Sequence, residues 1–477
     1  MSDHPDPVEE ASADRARRAI ERVLLSEGVS TADADHLIQE WVRTGNYLAN
    51  AWRLPPAQFV VGNPPYIRLE DVPSAEATAY RAAYPTMRGR ADLYVAFFEA
   101  ALRQLAPDGV CAFICADRWM LNQYGGELRR LITTGYAVET VVEMHRADAF
   151  ETEVDAYPAI TVIRRGSQGP AVVASAGPAT ALVAPASLAD AFDAIRAGGR
   201  SDIPAGVRAA RVQTWFAGDD PWPRVSPDRL ALLRRLEADF DTLESVETGA
   251  RVGIGVATGL DEVFITTDAG IVEPSRLVPL AMASDTFSGT LRWAGRYLID
   301  PWEPTGLVNL AKYPRLAAYL ETHRVRIAGR NVARRNPAHW YRTIDRVNHH
   351  LVPEPKLYLP DIKGRIHPVL DPGTTYPHHN LYVVRPGAWD IEVLGGLLLS
   401  AVAQFVIECY AVRMRGGYLR FQAQYLRRIR VPNPRDITPD QAAALRHAFR
   451  SRDEPAATRT ALAIYGIADI PAEPDHA

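Results

Sequence analysis

A short apolar run, QFVVG (58–62), ends in Asn63-Pro64-Pro65-Tyr66. Two prolines cannot continue a strand and remove two backbone donors, so the chain must turn a rigid corner there. Asn63 brings a side-chain oxygen. The carbonyl of Pro64 brings a second acceptor, held in place because proline fixes φ. Tyr66 brings a flat aromatic face. Together these residues make a hydrogen-bonding template for a planar amine or amide, with a ring on which a flat ligand can stack. A Pro-Pro turn with a helix-capping Asn is the purely structural alternative, and four residues alone do not choose between them. The corner stands at the carboxyl end of a strand, where open α/β sheets place their ligands.

The surrounding sequence predicts the elements that position this corner. RARRAIERVLLSEGVSTADADHLIQEWVRTG (15–45) has helical spacing, with a break near Gly28 and an N-cap at Ser30 or Thr31. DLYVAFFEAALRQLAPDG (92–109) predicts an amphipathic helix capped by Asp92 and stopped at Pro107–Gly109. Its buried face would carry Tyr94, Phe97, Phe98, Ala101 and Leu105. GVCAFICAD (109–117), AVETVVEM (137–144) and AITVIRR (159–165) read as strands, with a helix at LRRLITTGY (128–136). That rhythm predicts a layered α/β sheet. The pattern weakens from 167 to 245, apart from a helix at 226–240. Residues 246–436 are richer in Arg, His, Tyr, Trp and Pro, with short strands. The tail carries one helix in PDQAAALRHAFRSR and a second, shorter one.

The totals bound the function less than the motifs do. The chain has 477 residues with 47% apolar content, enough for two or three cores. A net charge of −4 does not announce a nucleic-acid binder. Lys312, Lys356 and Lys363 are the only lysines; arginine suits phosphate and guanine contacts, but codon bias is the better account of the total, and only local clusters count as signal. Cys111 and Cys115 stand four apart in an apolar run with no second pair, which is not a zinc pattern. No metal ligand set is expected. Buried thiols in a reducing cytoplasm are. The N-terminus is acidic and has no apolar core of a signal peptide. VLGGLLLSAVAQFVIECYAV (393–412) has the length of a membrane span, but Gln404, Glu408 and two glycines favour a buried core helix.

FVVGNPPYIRL (59–69), followed by RADLYVAFFEAALRQLAPDGVCAFICADRW (90–119), resembles the catalytic half of the gamma-class amino-methyltransferases. These are the TaqI-like N6-adenine DNA methyltransferases of type II and IIG restriction-modification systems. The resemblance implies S-adenosylmethionine as cofactor, double-stranded DNA as partner and a flipped adenine as substrate. Asn63 and Pro64 would accept the two amine hydrogens, with Pro65 holding the corner and Tyr66 stacking on the base. AFETEVDAYPAITVIRR (149–165) resembles the family's later motif, which implies that Phe150 stacks on the other face. Asn46, in WVRTGNYL, stands where the family usually has an Asp on the cofactor's adenine. Asp92 matches the motif whose helix packs beside the cofactor pocket. KLYLPDIKGR (356–365) and RGGYLRF (415–421) resemble a target-recognition domain, which implies DNA contacts from Lys363, Arg413, Arg415, Gly416, Gly417 and Arg420. The stretch 411–435 holds seven arginines and no acidic residue; Gly416–Gly417 would let backbone approach a phosphate.

The implied architecture is α/β: a partial Rossmann-like methyltransferase sheet followed by a mixed α+β target-recognition domain. Residues 1–14 are expected to be disordered, 15–168 to form the catalytic half, 169–245 a connector, 246–436 the recognition domain and 437–477 a helical tail. The family's Gly-rich cofactor loop and the acidic residue after its second strand should precede the corner, and the first 62 residues contain neither. GIGVATG (253–259) has tempting glycine spacing, but a lone glycine pattern is weak. DPGTT (371–375) reads as a turn. A complementing polypeptide with the Gly-rich loop is the third possibility. The leading expectation is a site-specific, cytoplasmic adenine-N6 DNA methyltransferase, or its catalytic and recognition portion, in restriction-modification or phage defence. The alternatives are a non-catalytic DNA-recognition module lacking its own cofactor site, and a glutamine-N5 methyltransferase of proteins. The Arg-rich C-terminal part argues against the last.

Overall fold

A computed structural model describes residues 7–144, 158–177, 185–203, 207–213, 218–223, 225, 227–411 and 418–472. The chain divides into two compact units, Met1–Trp222 and Pro223–Ala477.

The first unit opens with helices α1 (Pro7–Ser26), α2 (Thr31–Trp41) and the short α3 (Tyr47–Asn50). Helix α1 therefore begins inside the tail expected to lack structure. Gly28, at φ +84, turns the chain after α1, and the Ser30 side chain accepts from the Asp33 N–H to cap α2. Strand β1 (Ala57–Gly62) follows, then α4 (Ser74–Ala83), α5 (Tyr94–Gln104) and β2 (Leu105–Ala116). Helix α6 (Gly126–Gly135) leads to β3 (Tyr136–Glu143) and β4 (Pro158–Arg165). Three further elements occupy the stretch where the sequence pattern weakens: β5 (Ala171–Ala176), α7 (Pro185–Arg196) and β6 (Val207–Val212).

The strands form one mixed sheet in the order β1-β2-β4-β3-β5-β6. Strands β1 and β2 are parallel, with Val61 opposite Ala112 and Gly62 opposite Phe113. Strand β4 runs antiparallel between β2 and β3. Cys111, Phe113 and Cys115 point to the face that α5 covers and are at most 3% exposed. On that face Phe98 packs edge-on to Phe113 at 5.0 Å, and Trp119 lies 5.3 Å from both Phe98 and Trp222. The three cysteines are buried and form no disulfide with one another, and burial pushes the Cys111 thiol up to about 12.

Helix α5 differs from its sequence expectation at both ends. The residue before it is Leu93, which offers no capping side chain. Asp92 is not an N-cap; it pairs with Arg68 in an isolated antiparallel bridge. At the other end Leu105 already belongs to β2, and Pro107–Gly109 form an irregularity in the strand with Asp108 at φ +59. Proline is tolerated there because a bulge needs no ladder donor.

In the second unit, strands 369–371, 356–360, 381–385 and 251–254 form an antiparallel sheet in that order. A second four-stranded sheet contains 277–281 and 297–299. The apolar stretch read as a core helix is two helices, Ile391–Leu399 and Ala401–Tyr410, bent by 62° about Ser400. No single described helix is long and apolar enough to cross a membrane. Gly395 and Gly396 lie against the helix Pro439–Ser451, where a Cβ would stand 2.6 Å from the Phe449 ring and from the Leu445 carbonyl. Both glycines are therefore packing residues.

Candidate functional site

Strand β1 delivers the corner to the carboxyl end of the sheet, beside the end of the parallel β2. Asn63 is exposed, Pro64 buried, and Pro65 and Tyr66 half-buried. The Asn63 side chain makes no hydrogen bond to any described residue, so its amide is available to a ligand. Tyr66 lies beside the end of β2. Burial, with the Cys115 thiol and the Asp117 carboxylate nearby, pushes its phenol up, so Tyr66 is neutral.

Asp92 sits between the corner and α5. The Leu93 N–H donates to the Ile67 carbonyl at 2.8 Å, tying this residue's neighbour to the segment after Tyr66. Tyr124 Oη donates to Asp92 Oδ2 at 3.3 Å and shares a 2.6 Å hydrogen bond with the Tyr94 hydroxyl. Burial pushes the Asp92 carboxyl up, against the Tyr124 hydrogen bond and the charges of Arg118 and Arg68. Beneath this cluster the buried Glu99 accepts from the Thr86 N–H and hydroxyl at 2.9 and 2.6 Å, which pins the loop before α5. The buried Arg129 donates to the Asn122 and Asp219 carbonyls and to that of Trp119. Two hollows are lined by residues away from the corner, one at 195–211 and one beside Phe240 and Arg430.

Asn46 is engaged within the protein. Its Oδ1 accepts from the Ala49 N–H at 3.1 Å, capping α3, and its Nδ2 donates to the Tyr80 hydroxyl at 2.5 Å. The structure brings Asn63–Tyr66 and Asp92 into one region and gives Asn46 two structural partners. Phe150 lies outside the described residues. The sequence reading passed over Asp117, Arg118 and Tyr124. The signal was present: Asp117-Arg118 is an abrupt charged pair at the end of an apolar strand.

In the second unit, Lys363 lies on a two-residue strand, Ile362–Lys363, paired with Leu419–Arg420. Its ammonium sits 3.9 Å from the ring centroid of Phe287, which is 56% exposed. No described acidic residue pairs with it. Arg413, Arg415, Gly416 and Gly417 lie outside the described residues. Arg420 is ion-paired with Asp361, and that hydrogen bond raises its pKa. Arg427 pairs with Glu244, and Arg428 lies over the Tyr410 ring at 4.8 Å. Among the described arginines of this stretch, Arg420 and Arg427 therefore meet counter-charges far away in sequence.

The glycines of GIGVATG have structural reasons. A Cβ on Gly255 would stand 2.1 Å from the His378 carbonyl oxygen, and Gly259 adopts φ +77 against Ile344. Only a four-residue helix, Asp261–Phe264, follows, so there is no long helix N-terminus to hold a phosphate. Asp261, His378 and His379 approach one another within 4.8 Å. His378 Nε2 is bonded to Asp261 Oδ2 at 3.0 Å, and its Nδ1 accepts weakly from the Asn380 N–H. DPGTT is a turn around the buried Asp371, which forms a 2.9 Å ion pair with the buried Lys356.

Residues 57–150 match the Eco57I restriction-modification methylase family. The chain is 43% identical over 466 residues to the type II methyltransferase M.XhoI of Xanthomonas vasicola, spanning 96% of this chain and 84% of that one. It is 43% identical over 455 residues to M.PaeR7I of Pseudomonas aeruginosa, spanning 94% and 77%. M.BstVI of Geobacillus stearothermophilus is 40% identical over 437 residues, spanning 90% and 77%. Among solved structures, the type IIL restriction-modification enzyme MmeI in complex with DNA shares the fold, with a TM-score of 0.55 at 11% identity over 89% of this chain and 56% of that one. With β1, its corner and β2 inside the matched segment, and with relatives this similar over nearly its whole length, the chain belongs to the type II methyltransferases of restriction-modification systems.

Proposed function

We propose that the chain methylates the exocyclic N6 amine of adenine in double-stranded DNA, using S-adenosylmethionine. The observation that carries this reading is Asn63: an exposed carboxamide with no hydrogen bond to a described residue, at the carboxyl end of a strand and beside a buried proline. The amine's lone pair is delocalised into the ring. Asn63 Oδ1 and the Pro64 carbonyl, as paired acceptors, would hold both amine hydrogens and favour a geometry in which the nitrogen attacks. Pro64 and Pro65 fix the direction of that carbonyl. Tyr66, neutral and half-buried, would stack on a base flipped from the duplex, and Phe150 would cover the other face. The proton released by the amine goes to water.

S-adenosylmethionine supplies an electrophilic methyl group when bound. Of the two residues expected to hold it, Asp92 has a half-buried carboxyl facing the corner, while the Asn46 amide is engaged with Ala49 and Tyr80. One carboxyl does not make a pocket, so this reading includes a complementing polypeptide that carries the Gly-rich loop. On the DNA side, Lys363 has the uncompensated charge suited to a phosphate. Arg413, Arg415, Gly416 and Gly417 remain assigned to the interface by their place in the recognition motif; Arg420 shares that place, with its charge held by Asp361.

The test is methyl transfer to duplex DNA by the complemented protein. Asn63→Ala lowers transfer by about 100- to 1,000-fold and leaves duplex affinity within about 3-fold, because phosphate contacts supply most of that affinity. Retained turnover overturns the mechanism. The engaged Asn46 amide favours a second reading, a DNA-recognition module without a cofactor site of its own. Calorimetric titration of S-adenosylmethionine into the complemented protein separates the two: micromolar binding supports the methyltransferase, and its absence supports the module.

A further inference from the structure

In the second unit, the segment Asp285–Arg292 closes on itself: the Arg292 N–H donates to the Asp285 carbonyl at 2.8 Å. Its base is pinned from several sides. The buried Asp285 carboxylate accepts from the Met282 N–H and from Arg296, both at 3.0 Å. The buried Thr286 donates its hydroxyl to the Ala283 carbonyl at 2.7 Å, and its own carbonyl accepts from His367 Nε2 at 3.0 Å. His367 Nδ1 accepts from Arg452 at 3.2 Å, so the imidazole carries its one proton on Nε2. Burial and the Arg452 charge push the His367 pKa down, which keeps that ring neutral. On this fixed base Phe287 is exposed, with the Lys363 ammonium over one face of its ring. The pair is attractive, but a ring quadrupole does not neutralise a cation. A rigidly held apolar ring thus stands beside a charge that no described carboxylate compensates.

We propose that Phe287 is a specificity-determining residue that touches the C5 methyl group of a thymine in the major groove, while Lys363 neutralises a phosphate of the adjoining backbone. An anion must come close to Lys363, and a phosphate brings the edge of its own nucleotide with it. Of the four bases only thymine presents an apolar group on the major-groove edge, and a phenylalanine ring suits that methyl. The ammonium occupies one face of the ring, so Phe287 does not slide whole between two bases as a wedge does; its rim and its other face are what it offers. The hydrogen bonds at 285–292 hold the ring in place before the DNA arrives, which lowers the ordering cost of the contact. The inference rests on the proposed binding of duplex DNA. It is independent of which base is methylated.

The complemented protein first selects its site from a random-sequence duplex library. Each thymine of that site is then replaced in turn by deoxyuridine, which pairs identically and lacks only the methyl group, and affinity is read by fluorescence anisotropy. The expected result is one position at which the replacement weakens binding by about 4-fold, the scale for one buried carbon. Phe287→Ala keeps the native melting temperature, because the ring is exposed, and binds the thymine and deoxyuridine duplexes alike. Phe287→Leu, which keeps an apolar contact, retains the preference. Indifference of the native protein to every replacement overturns the proposal. So does a thymine preference that survives in Phe287→Ala, or a loss of affinity in that variant that is equal for all sequences. Absence of salt-dependent duplex binding by the native protein overturns the DNA-binding reading and this inference together. The readout is binding alone, so a failure of the adenine reading leaves the result interpretable.

Discussion

Asn63 and Asn46 are chemically the same side chain in opposite circumstances. Asn46 closes an N-cap and holds Tyr80, whose hydroxyl donates on to Glu76 at 3.2 Å. Asn63 is exposed and holds nothing described. Asn63→Ala is expected to lower methyl transfer by about 100- to 1,000-fold, the scale for removing one preorganised polar group from a reacting centre, with an unchanged melting temperature. Asn46→Ala is expected to do the reverse in part: a loss of about 1 kcal/mol through the cap, read as a lower urea midpoint. The same contrast separates the basic residues. Lys363→Ala should reduce the slope of log affinity against log salt by about 1. The double change Arg420→Ala, Asp361→Ala should leave that slope unchanged, because the pair carries no net charge into the interface. A drop of similar size in both variants would return Arg420 to the set of free cations.

At the scale of elements, the sequence was readable where periodicity is strong and local. Strand β1, helix α6, strands β3 and β4 and the helix Pro439–Ser451 fall within a few residues of expectation because apolar spacing and caps set them. Strands β5 and β6 and helix α7 were not legible, since their Ala- and Gly-rich composition carries little pattern and pairing in the sheet decides their state. The counter-charges of the arginine-rich stretch were not legible for a different reason. Asp361 and Glu244, which neutralise Arg420 and Arg427, are far away in sequence. The pair Lys356–Asp371 is likewise a product of the fold, fully buried between two antiparallel strands. Burial pushes the Asp371 carboxyl up, but Lys356 and the Thr374 and Thr375 donors outweigh it and hold the group down at about 2. A depressed carboxyl adds stability that is fully present above its unfolded value and is lost as pH falls through the folded one. The second unit should therefore lose stability between pH 3.8 and about 2, and Asp371→Asn should remove that part of the dependence. Lys356→Met leaves the carboxylate buried and unpaired, and should cost about 3–5 kcal/mol in urea unfolding.

At the scale of the whole molecule, two compact units divide the chain near residue 222. The first holds the Asn63 corner on β1, which pairs with β2 alone among the described strands, and the second holds Lys363 and the described part of the arginine-rich stretch. Family and reaction class were legible because residues 59–69 and 90–119 together resemble the gamma-class amino-methyltransferases; the four corner residues alone left a purely structural turn open. The single pairing of β1 was legible only in three dimensions. Sequence alone marks QFVVG as a strand and says nothing of how many neighbours it has. The central claim is that the corner directs a methyl group to adenine N6. It is tested by incubating duplex DNA with S-adenosylmethionine and the complemented protein, then digesting the DNA and identifying methylated nucleosides by mass spectrometry. The account predicts N6-methyladenine from the native chain and at least about 100-fold less from Asn63→Ala. Methyl groups on cytosine, or undiminished adenine methylation by Asn63→Ala, would contradict it.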